Sequence, residues 1–395
     1  MVQLIKATDK AEAEGLPEGF RFLVANDMRL FEPANLFLYK TCVISGRVES
    51  LDTQKTYAEA LYDWFQTCED MGWEWQDITE HELAMYRNRM LTIASPHTGR
   101  SYKRNTINGR LGTICRYYSW AHKAKLIDEL PFSYENLRVP RSHDSAALTH
   151  LNRNSGLREV NTLLLKSPKP DIRAIPIPEL QRILQKLGPA KIRDSSDPRP
   201  SRDRIVAEAS LLSGMRRIEI ANLSVSQIPE SGVSNEPFRQ IGLKITKGGN
   251  PRDVYLPQEF ISRINWYIKL ERAKTVAKAR RKARQSGFTY EEPDALFLTQ
   301  DGSPITRERI TRIFADAAEA AGVPNADFHG LRHTYAINLY KILKRSDPAP
   351  WKTIQILLGH ADLGVTLRTY LKAVEVDEAA ISDAIEDYYN EILYG

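Results

Sequence analysis

The chain has 395 residues, 42% of them hydrophobic, and a net charge of +5 from 55 basic and 50 acidic side chains. That length exceeds one ordinary core and suits two or three domains, and no apolar run approaches the roughly 20 residues of a membrane span. The N-terminal stretch MVQLIKATDKAEAEG has no apolar signal core, and Cys42, Cys68 and Cys115 are odd in number and scattered. Both features argue for a cytoplasmic protein with reduced thiols and against export, a disulfide framework or a zinc site.

In chain order, residues 1–48 carry short apolar pieces (Phe20–Val24, Leu36–Tyr39) broken by polar residues and Pro33, and read as an N-terminal extension of modest order. From Ser50 a helical period begins, with Ser50 and Thr53 as candidate caps and Tyr57, Leu61, Trp64, Phe65 and Cys68 on one face. Further helices are expected after Thr79 and from about Asn105 to Lys125, so residues 49–140 read as an all-α unit. Residues 141–172, with Gly156 and the Lys166–Pro170 run KSPKP, read as an inter-domain linker in which Leu163–Leu165 docks on a neighbouring surface. A second unit, residues 173–373, opens with a helix after Pro176. Helices are expected at 202–213, 216–223, 258–284, 306–321, 330–344 and 351–358. Two strands (Ile241–Thr246 and Arg252–Leu256) flank the turn Lys247–Asn250. The fold class is mainly α with a small antiparallel sheet. Residues 374–395 form an acidic C-terminal helix with an apolar stripe of Ile381, Ile385, Tyr388 and Ile392.

Charge is unevenly distributed. The segment 374–395 has seven acids and no base, and taking its −7 from the total of +5 leaves +12 on the rest of the chain. A basic body with a short acidic end suits a polyanion partner. Between Thr98 and Ile127 seven Lys or Arg and no acid lie among Tyr102, Tyr117, Tyr118 and Trp120. Arg100, Lys103, Arg104 and Arg110 are the candidate phosphate contacts there. Arg272–Arg284 holds seven more basic residues, Arg280 and Arg281 among them. Arg252, beside the hairpin turn, is a further DNA-contact candidate. Each of these stretches also fits a plain solvated surface.

No phosphate-binding loop, HExxH motif or spaced cysteine pair is present, so nucleotide-driven and metalloprotease chemistry lack their usual parts. The second unit does hold groups suited to a phosphodiester. Arg216 and Arg332, each near a helix start, offer guanidiniums for two non-bridging oxygens and for the extra charge of five-coordinate phosphorus. Lys247 at the turn can reach a leaving oxygen. Singly, each has a structural alternative: a surface ion pair, an ordinary hairpin, a packing tyrosine. Tyr335 and Tyr340 read as core, and His329 with His333 has the spacing but not the partners of a metal site.

Their order and neighbours resemble the tyrosine recombinases of the phage integrase family. LLSGMRRIEIANL (Leu211–Leu223) resembles the first signature box, with Arg216 and Glu219; TKGGNPR (Thr246–Arg252) resembles the hairpin that carries the lysine, Lys247. HGLRHTYA (His329–Ala336) resembles the second box, and LLGHADLGVTLRTY (Leu357–Tyr370) its end. TQKTY, NTINGR and YYSW in the first unit are similar to the family's helical core-binding domain, so the likeness runs from about residue 50 to the end. Ser213 and Met215 depart from the commoner Thr and Leu. Residues 1–48 show no recognisable arm-binding domain.

The resemblance implies a two-domain DNA clamp and a site-specific recombinase for a mobile element, acting on double-stranded DNA with no cofactor or metal. Tyr370 is the implied nucleophile, His329 the base, Lys247 the acid, Arg216, Arg332 and His360 the phosphate-holding donors, and Glu219 a support. It further implies a tetramer on DNA, assembled through the C-terminal helix. A type IB topoisomerase-like enzyme and a non-catalytic DNA-binding protein are the alternatives.

Overall fold

The computed structural model describes residues 2–45, 50–96, 99–138, 157–167, 174–189, 199–230, 236–244 and 251–359. The chain divides into two units, Met1–Lys169 and Pro170–Gly395.

The first unit is built on α2 (Leu51–Met71), α3 (Glu80–Thr92) and α4 (Arg104–Lys123), preceded by β1 (Gln3–Lys6), β2 (Arg21–Val24) and α1 (Glu32–Tyr39). Local chemistry sets the helix ends. The Ser50 side chain accepts from the Asp52 amide, and Gly72 closes α2 at φ 67°. Thr79 and Glu82 form a reciprocal capping box on α3, which satisfies two donors that a helix start otherwise leaves unpaired. On α2, Ala58, Leu61, Trp64, Phe65 and Cys68 point inward, facing Ile107, Leu111, Ile114, Tyr117 and Tyr118 of α4. The aromatic centre has polar anchors: Trp64 Nε1 donates to the Tyr118 hydroxyl at 3.2 Å, and that hydroxyl donates to the Trp75 carbonyl at 2.9 Å.

Two features differ from the sequence expectation. Residues 2–45 are part of this unit's core, with Phe20, Leu23, Ala34, Phe37 and Leu38 buried in it. β1 and β2 pair antiparallel with Leu4 opposite Leu23, and Gln54 of α2 bonds both the amide and the carbonyl of Arg21. The apolar pieces are too short and interrupted to show a period, so their burial depends on partners distant in sequence. The unit is also not all-α, because β3 (Tyr134–Arg138) and β4 (Leu157–Asn161) pair antiparallel. The chain beyond β4 stays docked: Leu163 is buried, and Asn108 exchanges two hydrogen bonds with the backbone of Leu165 at 2.8 and 2.9 Å. The described part of the expected linker is therefore clamped to the first unit as far as the Lys166 carbonyl, which accepts from Arg104.

The second unit contains α5 (Ile177–Leu187), α6 (Arg202–Ser213), α7 (Arg217–Ala221), β5 (Phe238–Leu243), β6 (Arg252–Pro257) and α8 (Gln258–Tyr267). A π-helical turn (Ile268–Arg272) joins α8 to α9 (Ala273–Gln285), followed by α10 (Arg307–Ala320), α11 (Phe328–Leu343) and α12 (Pro350–Leu358). β5 and β6 are antiparallel, Ile241 opposite Val254. Alternation sends Ile241, Leu243, Val254 and Leu256 into the core and leaves Tyr255 exposed. The core runs from α6 through Met215 and Ile220 to Phe314, Phe328 and Leu331. A smaller cluster of Ala336, Ile337, Ile354 and Leu358 joins α11 to α12, with Tyr335 and Tyr340 packed against it. The fold is mainly α with small antiparallel sheets, as the sequence predicts. Among the described residues no helix is long and apolar enough to cross a membrane. The cysteines are unpaired, and burial pushes the Cys68 thiol up to about 12.

Candidate active site

The site forms where the loop after α6 meets the start of α11 and the end of α12. α6 stops at Gly214, whose φ of 67° lets the chain turn back sharply. A Cβ there would lie 2.7 Å from Leu358 Cδ2 and 2.8 Å from Tyr335 Cδ1, so the turn also needs the bare backbone for close packing. Arg216 follows as the N-cap of α7.

Glu219 is fully enclosed and paired with two arginines. It accepts from the Arg216 amide at 2.7 Å and from Arg216 Nη1 at 3.0 Å. From the other side Arg252 Nη2 donates to it at 2.7 Å. Burial alone would push its carboxyl up, but the Arg252 hydrogen bond and charge, with the Arg216 amide and charge, hold it below the usual carboxylate value.

Asp327 caps α11 by accepting from the Gly330 amide at 2.7 Å. His329 and Arg332 lie on the first turns of this helix, and their environments differ. Arg332 is 1% exposed; it donates to the Gly214 carbonyl at 2.5 Å and to the Leu358 carbonyl at 2.7 Å. It thus ties together the C-terminal ends of α6 and α12, where helix dipoles favour a cation. His329 is exposed in the site. Desolvation on its protein side, then the charge of Arg332 and of Arg216 and Arg217, lower its pKa against the opposing pull of Asp327. The neutral imidazole is therefore favoured, which is the form able to accept a proton. His333 meets His329 edge to face, centroids 4.4 Å apart.

Of the residues read from sequence as the phosphate site, Arg216, Glu219, His329 and Arg332 come together. Lys247, His360 and Tyr370, like the helix expected at 374–395, lie outside the described residues. Arg252 is placed differently from the sequence expectation. It is not turned outward for DNA but is 8% exposed and bound to Glu219, and its Nη1 donates to the Leu357 carbonyl. Position beside a turn suggested DNA contact; the buried carboxylate that attracts it inward lies 33 residues away in sequence. Arg217, beside Arg216, also bears on His329, and its adjacency in the motif was the available signal.

The outlying basic residues divide similarly. Arg100, Lys103 and Arg104 are exposed, as are Arg280 and Arg281 on α9. Arg280 pairs with Glu292 at 2.8 Å. Arg110 instead pairs with Asp63 at 2.6 Å and lies over the Tyr102 ring. Among the described residues no group of three or more His, Cys, Asp or Glu is arranged for a metal ion.

Residues 178–375 match the family model described as the phage integrase family. The chain belongs to that family. This phage integrase family member is 25% identical to the tyrosine recombinase XerC of Bacillus subtilis over 325 residues, 81% of this chain and 88% of the relative. It is 25% identical to XerD of Vibrio vulnificus over 302 residues, 75% and 87% of the two chains. Among solved structures it resembles the integrase of transposon Tn1549 in complex with circular intermediate DNA, with a TM-score of 0.55, 16% identity and coverage of 89% and 98%. It also resembles the XerH site-specific recombinase bound to difH substrate, with a TM-score of 0.50, 20% identity and coverage of 88% and 83%. These likenesses establish the fold of a tyrosine recombinase.

Proposed function

We propose that this tyrosine recombinase cuts and rejoins double-stranded DNA at specific sites through a covalent 3′-phosphotyrosyl link to Tyr370, in the integration, excision or transposition of a mobile element. The observation that carries this reading is the bond from Arg332 to the Gly214 carbonyl, which joins two signature boxes 118 residues apart in sequence. That bond brings Arg216, Arg332 and a neutral His329 to one place.

In the proposed step the Tyr370 hydroxyl oxygen attacks phosphorus while the bond from phosphorus to the 5′ oxygen breaks. His329 takes the phenol proton, and Lys247 gives one to the departing 5′ oxygen, which leaves as a hydroxyl. A free phenol has a pKa of ~10, so a nearby base and stabilised product charge are needed at neutral pH. Arg216 and His360 contact the five-coordinate phosphorus, and Glu219 holds Arg216 in place. Arg332, enclosed and bonded to two carbonyls, adds its positive charge from beneath and fixes the site's frame. The reverse attack by a 5′-hydroxyl rejoins a strand and reuses the ester energy, so the reading calls for no nucleotide, cofactor or metal.

DNA is gripped by both units as a clamp, with Arg100, Lys103 and Arg104 in the first and Arg280 and Arg281 in the second on phosphates. Four protomers assemble on paired sites, the segment 374–395 docking on a neighbour. The enzyme works in the cytoplasm, on the nucleoid when bound. The test is to select binding sequences from a random duplex pool and build a nicked duplex on the selected site. Incubation in EDTA should yield a covalent adduct that Tyr370→Phe abolishes while retaining binding. Adducts that persist in Tyr370→Phe would remove this assignment.

A further inference from the structure

Arg252 is the first residue of β6, yet its side chain serves two other elements at once. Its Nη2 and Nε donate to the two oxygens of Glu219 at 2.7 and 3.4 Å. Its Nη1 donates to the Leu357 carbonyl in the last turn of α12. The neighbouring Leu358 carbonyl is taken by Arg332. Two guanidiniums thus occupy consecutive carbonyls that a helix end leaves without intrahelical donors. The fit is close: a Cβ on Gly359, which caps α12 at φ 63°, would strike the Arg252 Cδ.

The electrostatic consequence falls on Arg216. A lone Arg216–Glu219 pair would be neutral, and its carboxylate would compete with a phosphate for the guanidinium. Sharing Glu219 between two arginines leaves one net positive charge on the trio and divides the carboxylate's pull between them. The planar fork of arginine can serve the carboxylate and the carbonyl together, whereas the single ammonium of lysine cannot reproduce both contacts.

We propose that Arg252 is a positioning residue for strand cleavage, holding Arg216 through Glu219 and the end of α12 through Leu357, without contacting DNA. This inference rests on the recombinase reading above. It predicts that Arg252 sets how fast the phosphate reacts and leaves DNA affinity alone.

The test uses the full chain, wild type and the variants Arg252→Gln and Arg252→Lys, on the nicked duplex built from the selected site. Arg252→Gln should slow single-turnover adduct formation by roughly 100-fold, the scale for losing one preorganised donor. Its Kd and the salt dependence of binding should stay within about twofold of wild type, and Arg252→Lys should restore part of the rate. If Arg252→Gln does not fold, Arg252→Lys decides: a folded lysine variant should still cleave about tenfold slower than wild type at unchanged Kd. An unchanged rate, or weakened binding with a shallower salt slope, would overturn the proposal. So would a rate loss that follows the lost folded fraction, with lysine no better than glutamine. Failure of the wild type to form any adduct would instead remove the recombinase reading, and this inference with it.

Discussion

The Arg332 guanidinium donates to the Leu358 carbonyl at 2.7 Å, so an enclosed positive charge closes the last turn of α12. The same group holds the Gly214 carbonyl at the end of α6. Removing it leaves buried acceptors without donors, each costing ~1–3 kcal/mol, together with a cavity. Arg332→Ala should therefore lose about 3 kcal/mol of stability in urea unfolding followed by circular dichroism. A midpoint equal to that of the wild type would show that the packing around Arg332 does not depend on these bonds.

Gly214 and Gly72 share a φ of 67° but not their surroundings. Nothing lies within 4 Å of a Cβ placed on Gly72, whereas on Gly214 it would meet Leu358 at 2.7 Å. Alanine at either position bears the left-handed penalty of ~1–2 kcal/mol, and at Gly214 overpacking adds about 1–3 kcal/mol. Gly214→Ala should lower the thermal midpoint well below that of Gly72→Ala and slow cleavage, since the Gly214 carbonyl anchors Arg332. Equal midpoints for the two variants would contradict the packing argument.

What could be read from the sequence was what depends on neighbours in the chain. Ser50 and Thr79 announce helix starts at their own positions, and α6 falls on its expected span, Arg202–Ser213. The alternating apolar residues of the hairpin likewise mark two strands, β6 starting at the expected Arg252 and β5 starting three residues before the expected Ile241. Arg216 and Arg332 were legible as a pair through their flanking motifs. The missed features depend on distant partners. Residues 2–45 gain their place only against α2 and α4, and β3 with β4 joins segments whose own pattern is weak. Arg110 and Arg252 look like solvent-facing charge until Asp63 and Glu219 are brought beside them. Sequence spacing marks a basic side chain but cannot say whether a carboxylate waits for it inside the fold.

His333 should make stability pH-dependent on the acid side. Burial first, and then the neighbouring His329, lower its pKa to about 4 from the usual 6.5, with Asp327 opposing. Between those values the unfolded chain binds the proton and the folded chain does not. Stability contributed by the neutral ring is therefore present above pH 6.5 and is lost as pH falls toward 4. The full loss would be on the order of 3 kcal/mol. His333→Gln should flatten the decline in urea midpoint between pH 6.5 and 4.5 relative to wild type. Parallel declines in the two proteins would assign the acid sensitivity to other groups, and a residual slope below pH 4.5 is expected from Glu219, whose lowered pKa makes its stabilisation disappear as it protonates.

Arg110 and Lys103 lie seven positions apart in one basic segment and should fail in different ways. Lys103 is exposed at the start of α4. Arg110 donates to Asp63 at 2.6 Å, and the same carboxylate oxygen accepts from the Tyr86 hydroxyl at 2.5 Å. Arg110→Met removes the cation from a carboxylate that is only one-third exposed and should cost about 1–3 kcal/mol of stability. The salt dependence of DNA binding by the folded fraction should not change. Lys103→Gln should do the reverse, leaving the urea midpoint within ~0.5 kcal/mol of wild type while lowering the slope of log K against log salt by about 0.9 for one lost phosphate contact. Measuring both quantities on both variants separates a brace from a DNA contact, and a slope change in Arg110→Met without loss of stability would return that arginine to the DNA surface.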